Sequence, residues 1–246
     1  MREAFQRTER LFGAEAMERL SRAHVLLFGV GGVGSYAAEA LVRSGIGHLT
    51  FVDDDNVCIT NLNRQLHATM STVGQPKTQA MSERLLSINP DCDVKAISHF
   101  YLPGDGSKII TKQFNYIIDA IDTVSAKIDI IQTAQKLDIP LISCMGTGNK
   151  VHPSMLTVAD IYETSVCPLC RVMRAELKKR DITHLKVVYS PEPPLTPRPC
   201  GSDDEGAVRG GPKRRITPGS TAFVPSSAGL LLASEVVLDL VNDSSI

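Results

Sequence analysis

Glycines in the first third of the chain have the spacing of a phosphate-binding turn. Gly29, Gly31 and Gly34, with Gly32 between them, form a Gly-x-Gly-x-x-Gly pattern directly after an apolar run. Glycines permit a tight turn and a close approach of the backbone to a ligand, and a following helix offers unpaired N–H groups to an anion. The pattern alone predicts a mononucleotide or dinucleotide site. A nicotinamide-dependent dehydrogenase is its commonest interpretation, and a simple tight turn is the alternative.

Polar side chains after the next apolar run favour a triphosphate ligand. These candidate ligands lie in one loop or at the start of the next helix: Asp53, Asp55, Asn61, Arg64, Gln65 and Lys77. Asp53 has the position of a residue that accepts hydrogen bonds from ribose hydroxyls. Arg64 can bind two phosphate oxygens at once, and Lys77 supplies a compact charge. A nicotinamide does not need both cations, although each one alone could be a solvated surface charge.

A second acidic group closes a later apolar run. Asp119 and Asp122 follow residues 116–118, and a carboxylate at such a strand end can hold Mg²⁺ that is bound to phosphate oxygens. The alternative for Asp119 is a cap of the following helix. The sequence therefore predicts a magnesium–nucleotide site at this strand end, and the residues alone leave open which of the two carboxylates holds the metal.

The elements that must position these residues alternate between strands and helices. Short apolar runs predict strands at 24–28, 48–52, 94–98, 116–118 and 141–144, and helical spacing predicts helices at 35–44, 77–88 and 125–137. This order predicts an α/β fold with a Rossmann-like, mainly parallel sheet and helices on both faces. Ligands of such sheets bind beyond the carboxyl ends of the strands, where Asp53, Asp122 and Gly146 fall.

The second half of the chain predicts an extension of the sheet. We expect strands at 155–158 and 185–189, a basic helix at 168–180, a mobile Pro- and Gly-rich loop at 191–220, and a terminal helix at 228–241. The expected organisation is one domain. It comprises an N-terminal helical segment (1–22), a nucleotide-binding core (23–150) and an extension for substrate binding and dimerisation (151–246).

Composition excludes several classes of protein. The 246 residues include 26 basic and 27 acidic side chains, a net charge of −1 that argues against a nucleic-acid binder driven by a charged tail. Six cysteines are too sparse for a disulfide scaffold. The N-terminus is charged and resembles no signal peptide, and the longest apolar helix is interrupted by acidic residues. We therefore expect no transmembrane segment and a cytoplasmic, reducing location.

The motifs together resemble the ubiquitin-activating-enzyme-like adenylating family. They are Asp53-x-Asp55-x-Val57, Asn61-Leu-Asn-Arg-Gln65, Gly74-x-Pro-Lys77 and Asp119-Ala-Ile-Asp122. The resemblance implies a homodimer that binds ATP and Mg²⁺ and adenylates a carboxylate. It places Asp53 on the ribose, Asn61 and Arg64 on the phosphates, Lys77 at the α-phosphate and Asp122 on Mg²⁺. By the same resemblance, Arg10 in Arg7-Thr-Glu-Arg10 reaches the phosphates of the partner subunit.

Motifs in the second half are similar to the tRNA threonylcarbamoyladenosine dehydratase branch of this family. They are Met145-Gly-Thr-Gly-Asn-Lys150, the segment 159–169, Val187-Val-Tyr-Ser190-x-Glu192 and the segment 223–230. The branch implies ATP-dependent cyclisation of threonylcarbamoyladenosine beside the anticodon of tRNA. In the implied mechanism, ATP activates the threonyl carboxylate and the ring closes by intramolecular attack. Activation by adenylation and by phosphorylation both remain open, and adenylation of the C-terminus of a sulfur-carrier or ubiquitin-like protein is the alternative function.

Cysteine spacing bears on metal and sulfur chemistry. Many family members hold zinc with two Cys-x-x-Cys pairs, but this chain has one pair, Cys167 and Cys170, so zinc is not expected. We interpret the pair as small apolar contacts, with a redox role as the second interpretation. Some members of the branch carry a late Cys associated with sulfur-relay proteins. The segment 216–227 has none, which leaves a sulfur-relay partner as an expectation without a matching thiol.

A tRNA substrate requires cations for its phosphates. Arg171, Arg174 and Lys178 have helical spacing on one predicted face, and Lys213-Arg-Arg215 lies in the predicted loop. The sequence therefore predicts a weak tRNA-binding surface at these residues. The alternative, a solvated helix face and a charged loop, fits the same pattern.

Overall fold

A computed structural model describes residues 2–199 and 217–243. Seven strands form one sheet in the order β3-β2-β1-β4-β5-β7-β6. The strands are β1 (His24–Phe28), β2 (His48–Asp53), β3 (Asp93–Ser98), β4 (Tyr116–Asp119), β5 (Leu141–Cys144), β6 (Thr157–Asp160) and β7 (Lys186–Tyr189). All neighbouring pairs are parallel except β6 and β7. The predicted α/β fold class is confirmed.

Helices cover the sheet on both faces. They are α1 (Gln6–Phe12), α2 (Ala14–Arg22), α3 (Gly34–Arg43), α4 (Lys77–Ile88), the short α5 (Gly106–Ile109), α6 (Val124–Leu137), α7 (Pro168–Lys178) and α8 (Phe223–Asn242). Strand β1 shows how two cores arise, because Val25 and Leu27 join the cluster beneath α3 and α8 while Leu26 and Phe28 join the cluster beneath α6. This alternation follows the two-residue period of a strand and buries β1 on both faces from Val25 to Phe28.

Element boundaries agree closely with the predictions in the first half and less well in the second. The strand predicted at 155–158 is Thr157–Asp160, because Pro153–Met155 forms a 3₁₀ turn instead. The terminal helix begins at Phe223 rather than at Ala228. Strand β3 lies at a sheet edge with an exposed, polar pattern, unlike the buried central strands β1 and β4.

Helix α8 meets the length and hydropathy criteria for a membrane span, contrary to our expectation that no segment would. Length and composition alone do not distinguish such a helix from a core helix. Its inward residues Ala228, Leu232 and Val236 are fully buried in the cluster shared with the neighbouring helices. In this fold α8 is therefore a core helix.

The segment predicted as a mobile loop is described only at its two ends. Residues 191–199 and 217–221 form neither helix nor strand, and both ends meet at Asn149. The backbone N–H of Leu195 donates to the Asn149 carbonyl at 2.7 Å, and the N–H of Gly219 donates to the Asn149 Oδ1 at 2.7 Å. The predicted cationic segment Lys213–Arg215 and Cys200 lie outside the described residues.

Candidate functional site

A cleft of about 870 Å³ opens beyond the carboxyl ends of β1, β2 and β4. It is lined by nearly all the predicted nucleotide ligands, namely Gly29, Gly31, Gly32, Asp53, Asp55, Asn61, Arg64, Gln65, Lys77 and Asp122. Parallel strands bring their carboxyl ends to one edge, so residues far apart in sequence converge there. The cleft also takes in side chains that we did not predict, including His99, Phe100, Tyr101, Thr147 and Ser220.

The glycine turn is tight enough to require glycine at two positions. Gly29 has a positive φ of 84°, and a Cβ there would lie 3.0 Å from the carbonyl oxygen of Ala120. Gly34 does not line the cleft; a Cβ on it would lie 1.8 Å from the Gly29 carbonyl oxygen. Gly34 therefore permits the close packing of α3 on the turn, while Gly29, Gly31 and Gly32 form the surface that a ligand would meet.

Asp53 is held rigidly at the end of β2. Its Oδ2 accepts a hydrogen bond of 2.8 Å from the N–H of Val30, and its Oδ1 accepts one of 3.0 Å from the N–H of Asp55. Burial raises the pKa of the Asp53 carboxyl, and the nearby ammonium of Lys77 opposes that shift. The carboxylate thus links the glycine turn to the loop that follows β2.

Lys77 is the first residue of α4 and is almost entirely buried. Its Nζ lies 2.8 Å from the Asp55 Oδ2 and 4.0 Å from the Asp53 Oδ1. Pro76, immediately before the helix, forms an isolated antiparallel bridge with Asn56, which fixes the start of α4 against the β2 loop. The result is a fixed ammonium in a cleft that can receive phosphate oxygens.

The Asn61–Gln65 segment contains side chains that stabilise its own loop and a polar group that is available to a ligand. The Oδ1 of Asn61 accepts a 3.0 Å hydrogen bond from the N–H of Cys58, so Asn61 also stabilises its own loop. Arg64 is half-buried beside Gly32, and its Nη1 donates to the Thr60 carbonyl at 3.0 Å. Burial lowers the pKa of Arg64. The buried Gln65 Oε1 has no hydrogen-bond partner among the described residues.

The two acidic residues after β4 have opposite environments. Asp119 is fully buried, and its Oδ2 binds the Lys127 Nζ at 2.9 Å and the Ser143 hydroxyl at 2.6 Å. Our suggestions that Asp119 could bind Mg²⁺ or cap the helix are both wrong, because it forms an internal ion pair. Asp122 is exposed in the cleft, where its Oδ1 accepts a long hydrogen bond from Thr123.

Sequence reasoning missed Lys127, although a signal was present. Lys127 precedes Ile130 and Ile131 by three and four residues, which places a lysine on the buried face of α6. Its Nζ donates to Asp119, to the Ser143 hydroxyl at 3.1 Å and to the Cys144 carbonyl at 2.8 Å. This network connects the ends of β4 and β5 beneath the cleft.

Arg10 does not reach the cleft of its own chain. It is exposed near the end of α1, on a separate surface with Glu3, Gln6 and Glu9. Its predicted contact with the phosphates of a partner subunit involves a second chain, and it therefore stays a prediction.

The predicted cationic face of α7 is only partly exposed to solvent. Arg171 and Lys178 are exposed, whereas the half-buried Arg174 donates to the carbonyl and hydroxyl oxygens of Thr164. Arg174 therefore stabilises the turn before α7 as well as carrying charge. Cys167 and Cys170 are buried in the apolar cluster between α7 and β7, as small apolar contacts would be.

Two motifs of the second half meet in a buried clamp. The Nζ of Lys150 donates to the carbonyl oxygens of Ser190 and Glu192, at 2.6 and 3.1 Å. The Glu192 carboxylate in turn accepts from the N–H groups of Val151 and His152, at 2.9 and 3.1 Å. These contacts explain why a lysine and a glutamate occur in otherwise apolar surroundings.

Comparison with known proteins gives the family directly. The ThiF family model matches residues 5–243. This chain belongs to the ThiF family. The match covers the glycine turn, all the cleft residues named above and the terminal helix, which agrees with the resemblance found in the sequence.

Curated ThiF relatives narrow the comparison to one branch. The chain is 44% identical over 247 residues to the tRNA threonylcarbamoyladenosine dehydratase of Bacillus subtilis (strain 168), an alignment that covers 98% of this chain and 96% of the relative. The protein of the same name from Escherichia coli (strain K12) is 41% identical over 177 residues, which cover 72% of this chain and 66% of the relative.

A solved structure agrees with these relatives. The E. coli tRNA N6-threonylcarbamoyladenosine dehydratase TcdA, in complex with ATP, is 33% identical with a TM-score of 0.85, covering 97% of this chain and 94% of that one. The same protein in complex with AMP gives a TM-score of 0.86 with equal coverage. The similarity therefore extends over the whole described fold and is not confined to the nucleotide-binding half.

Proposed function

We propose that the chain catalyses the ATP-dependent dehydration of threonylcarbamoyladenosine in tRNA to its cyclic form. The observation that carries this proposal is the convergence of Arg64, Lys77 and Asp122 on one cleft beside the glycine turn. The full-length similarity to dehydratases of that name supports the choice of substrate. The enzyme is an ATP-dependent cyclising ligase of the adenylating type.

The proposed role of the cleft is to turn a carboxylate oxygen into a leaving group. A threonyl carboxylate attacks the α-phosphate of ATP, and pyrophosphate leaves. Negative charge builds on phosphate oxygens during this step, so the buried ammonium of Lys77 and the guanidinium of Arg64 lower the barrier electrostatically. Asp53, which is fixed by backbone donors, is positioned to accept from the ribose, while Asn61 and Gln65 offer amide groups to the nucleotide.

Magnesium is the cofactor that this chemistry implies beside ATP. Asp122 fits the ion because its carboxylate is exposed in the cleft and has no ion-pair partner among residues 2–199 and 217–243. Asp119 does not fit the ion, because its carboxylate already accepts hydrogen bonds from Lys127 and Ser143. Bound Mg²⁺ neutralises charge on the phosphates. Asp122 would hold the ion and keep it beside the glycine turn.

Ring closure needs no thiol or other nucleophile from the enzyme. The carbamoyl group already lies in the same nucleoside as the adenylated carboxylate, so its attack on the carboxyl carbon is intramolecular. The new ring bond forms as AMP leaves with the carboxylate oxygen, and the carbamoyl group loses a proton. The enzyme's task is to hold the nucleoside in the reactive geometry and to exclude water. Thr147 and Ser220 also line the cleft, and we assign them to the proposed substrate side.

The proposed assembly is a homodimer in which Arg10 of each chain reaches the phosphates bound by the other. The exposed position of Arg10, away from its own cleft, is compatible with that arrangement. The tRNA phosphates would contact Arg171 and Lys178 on α7. Arg174 would add positive charge to this surface while its guanidinium stays hydrogen-bonded to Thr164. We place the enzyme in the cytoplasm with its tRNA substrate, and a sulfur-relay protein is the remaining partner implied by the family.

The test is reconstitution with purified protein. Incubation with ATP, Mg²⁺ and tRNA carrying threonylcarbamoyladenosine should convert the open nucleoside to the cyclic one, as measured by mass spectrometry of digested tRNA under mild conditions. Pyrophosphate release should rise with that tRNA and not with unmodified tRNA. Pyrophosphate release driven instead by a sulfur-carrier protein, with no cyclic nucleoside, would assign the chain to protein adenylation.

A further inference from the structure

Three consecutive residues beyond the end of β3 line the cleft and have no role in the chemistry proposed above. They are His99, Phe100 and Tyr101. The backbone N–H of His99 donates to the Asp53 carbonyl at 3.2 Å, so the pairing of β3 with β2 continues one residue past the strand. His99 therefore lies next to the residue that we assign to the ribose, on the side away from the glycine turn.

The order of the strands matches the order of the parts of a nucleotide. The glycine turn follows β1, Asp53 ends β2 and His99 follows β3, and these strands are neighbours in that order. Neighbouring strands lie about 4.8 Å apart. Asp122 and Thr147 follow β4 and β5, on the opposite side of β1. A phosphate at the glycine turn and a ribose at Asp53 therefore place the base beyond the end of β3.

Tyr101 anchors the backbone beside Phe100. The Tyr101 ring packs edge-on against Phe28, with ring centroids 5.0 Å apart, and its hydroxyl donates to the Asp129 Oδ2 at 2.7 Å. Tyr101 is 8% exposed, whereas Phe100 is 47% exposed. A phenyl group that stays exposed at the wall of a cleft, on an anchored backbone, offers a surface on which a purine stacks.

A carboxylate orients the His99 ring. The Nε2 of His99 lies 2.8 Å from the Asp105 Oδ2, and its Nδ1 has no hydrogen-bond partner among residues 2–199 and 217–243. In the neutral ring the proton is on the nitrogen that donates to Asp105, which leaves a lone pair on Nδ1. Asp105 also accepts from the N–H of Leu102 at 2.9 Å and from the Lys108 Nζ at 3.0 Å. The loop therefore keeps these bonds when His99 is replaced.

We propose that His99 selects adenine as the base of the bound nucleotide, while Phe100 stacks on the purine. The Nδ1 lone pair accepts a hydrogen bond from the 6-amino group of adenine. Guanine and hypoxanthine carry a carbonyl oxygen at that position, and two acceptors that face each other repel. Asp105 is a positioning residue, because it keeps the proton on Nε2. This selection rests on the proposed function, since it requires a nucleotide in the cleft.

The test measures nucleotide binding to the full-length protein by isothermal titration calorimetry, with Mg²⁺ and without tRNA. The probes are ATP, ITP, which has a 6-oxo group, and purine riboside triphosphate, which has only hydrogen at position 6. Wild type should bind ATP about tenfold more tightly than purine riboside triphosphate, and ITP more weakly still. Equal affinities of wild type for ATP and ITP would overturn the selection, and that result depends on no variant.

Variants assign the preference to single residues. His99→Ala should bind the three triphosphates with affinities within about threefold of one another, because the acceptor is lost. Asp105→Asn should also narrow the difference, since its amide can donate to Nε2 and so place the proton on Nδ1. His184→Ala is the matched control and should keep the wild-type preference, because His184 is an exposed histidine that pairs with Asp160 away from the residues that line the cleft.

Phe100→Ala should weaken the binding of all three triphosphates about tenfold without changing their ratios, because stacking does not depend on the group at position 6. A wild-type preference in folded His99→Ala would refute selection by His99, and one in folded Asp105→Asn would refute the positioning role. Cyclic-nucleoside formation by wild type separates this selection from the proposed function. Normal formation without a base preference refutes the selection alone, whereas absence of nucleotide binding refutes both.

Discussion

Lys77 donates a 2.8 Å hydrogen bond to Asp55 at the mouth of the cleft, and the two residues come from the start of α4 and the loop after β2. The Lys77 ammonium is buried, whereas the Asp55 side chain is 59% exposed. One partner is therefore fixed by the fold and the other can turn outward. We infer that a phosphate oxygen replaces Asp55 as the partner of Lys77 when nucleotide binds, so the cation need not move.

Lys77→Ala should reduce pyrophosphate release and cyclic-nucleoside formation by about a hundredfold or more, because a preorganised charge on the reacting phosphate is lost. Lys77→Arg should recover part of that loss. Lys95→Ala on the exposed edge strand is the matched control and should act like wild type. Steady-state rates measure the activity of each variant, and melting temperatures show whether the variant is folded. Full activity of folded Lys77→Ala would contradict the assigned role.

Asp122→Asn should raise the Mg²⁺ concentration needed for half-maximal activity and should lower the maximal rate by roughly tenfold or more, because a neutral amide is a weaker Mg²⁺ ligand than a carboxylate. A Mg²⁺ titration at saturating ATP measures both effects. Asp138→Asn is the control, since Asp138 is exposed in the left-handed conformation that Asn also tolerates. An unchanged Mg²⁺ dependence in Asp122→Asn would remove Asp122 from the metal site.

Arg10 is tested by mixing two inactive variants. Arg10→Ala and Lys77→Ala should each be inactive alone. After subunit exchange at equal concentrations, half of the dimers are mixed, and one of their two sites holds both residues, so activity should return to about a quarter of wild type. An inactive mixture, with exchange verified by native mass spectrometry, would show that Arg10 does not act across subunits.

His67 should make stability fall in mild acid. It is 3% exposed, neither ring nitrogen has a hydrogen-bond partner among the described residues, and burial lowers its pKa to about 4. The unfolded chain gains a proton near pH 6.5 while the folded chain stays neutral, so stability decreases as pH falls from about 6.5 to about 4. The loss between pH 7 and pH 4.5 should be about 2 kcal/mol.

The matched variant for that prediction is His67→Gln, which removes the titrating group and keeps a polar side chain. Urea unfolding at the two pH values gives the free energies. The variant should lose about 2 kcal/mol less than wild type between them. An equal loss in both proteins would assign the acid sensitivity to other groups.

Lys127→Met should destabilise the protein by about 3–5 kcal/mol, because it leaves the buried Asp119 carboxylate without its counter-charge. The double variant Asp119→Asn/Lys127→Met should regain much of that loss, since no charge is then buried. Urea unfolding of wild type, both single variants and the double variant gives the coupling energy. Additive losses would mean that the ion pair contributes nothing of its own.

The order of elements could be predicted from the sequence because local patterns determine it. Apolar runs that end at Gly29, Asp53 and Asp119 marked the strand ends, and parallel strands must bring those ends to one edge. The glycine turn and the cations after β2 were accordingly predicted in one cleft, and the structure brings them together there. The start of β6 was predicted two residues too early, because Met155 belongs to a short 3₁₀ turn and not to the strand.

Side-chain direction and distant partners could only be decided by the tertiary structure. Asp119 and Asp122 look equivalent in sequence, yet one faces Lys127 in the core and the other faces the cleft. The helical spacing of Arg174 predicts a solvent-exposed cation, but its guanidinium donates a hydrogen bond to Thr164. A strand end specifies where a residue lies along the chain; the packing of helices from elsewhere decides whether its charge meets solvent, a ligand or a buried counter-charge. The sequence by itself therefore determined the sheet, the turn and the family, and the fold determined which charges remain available for chemistry.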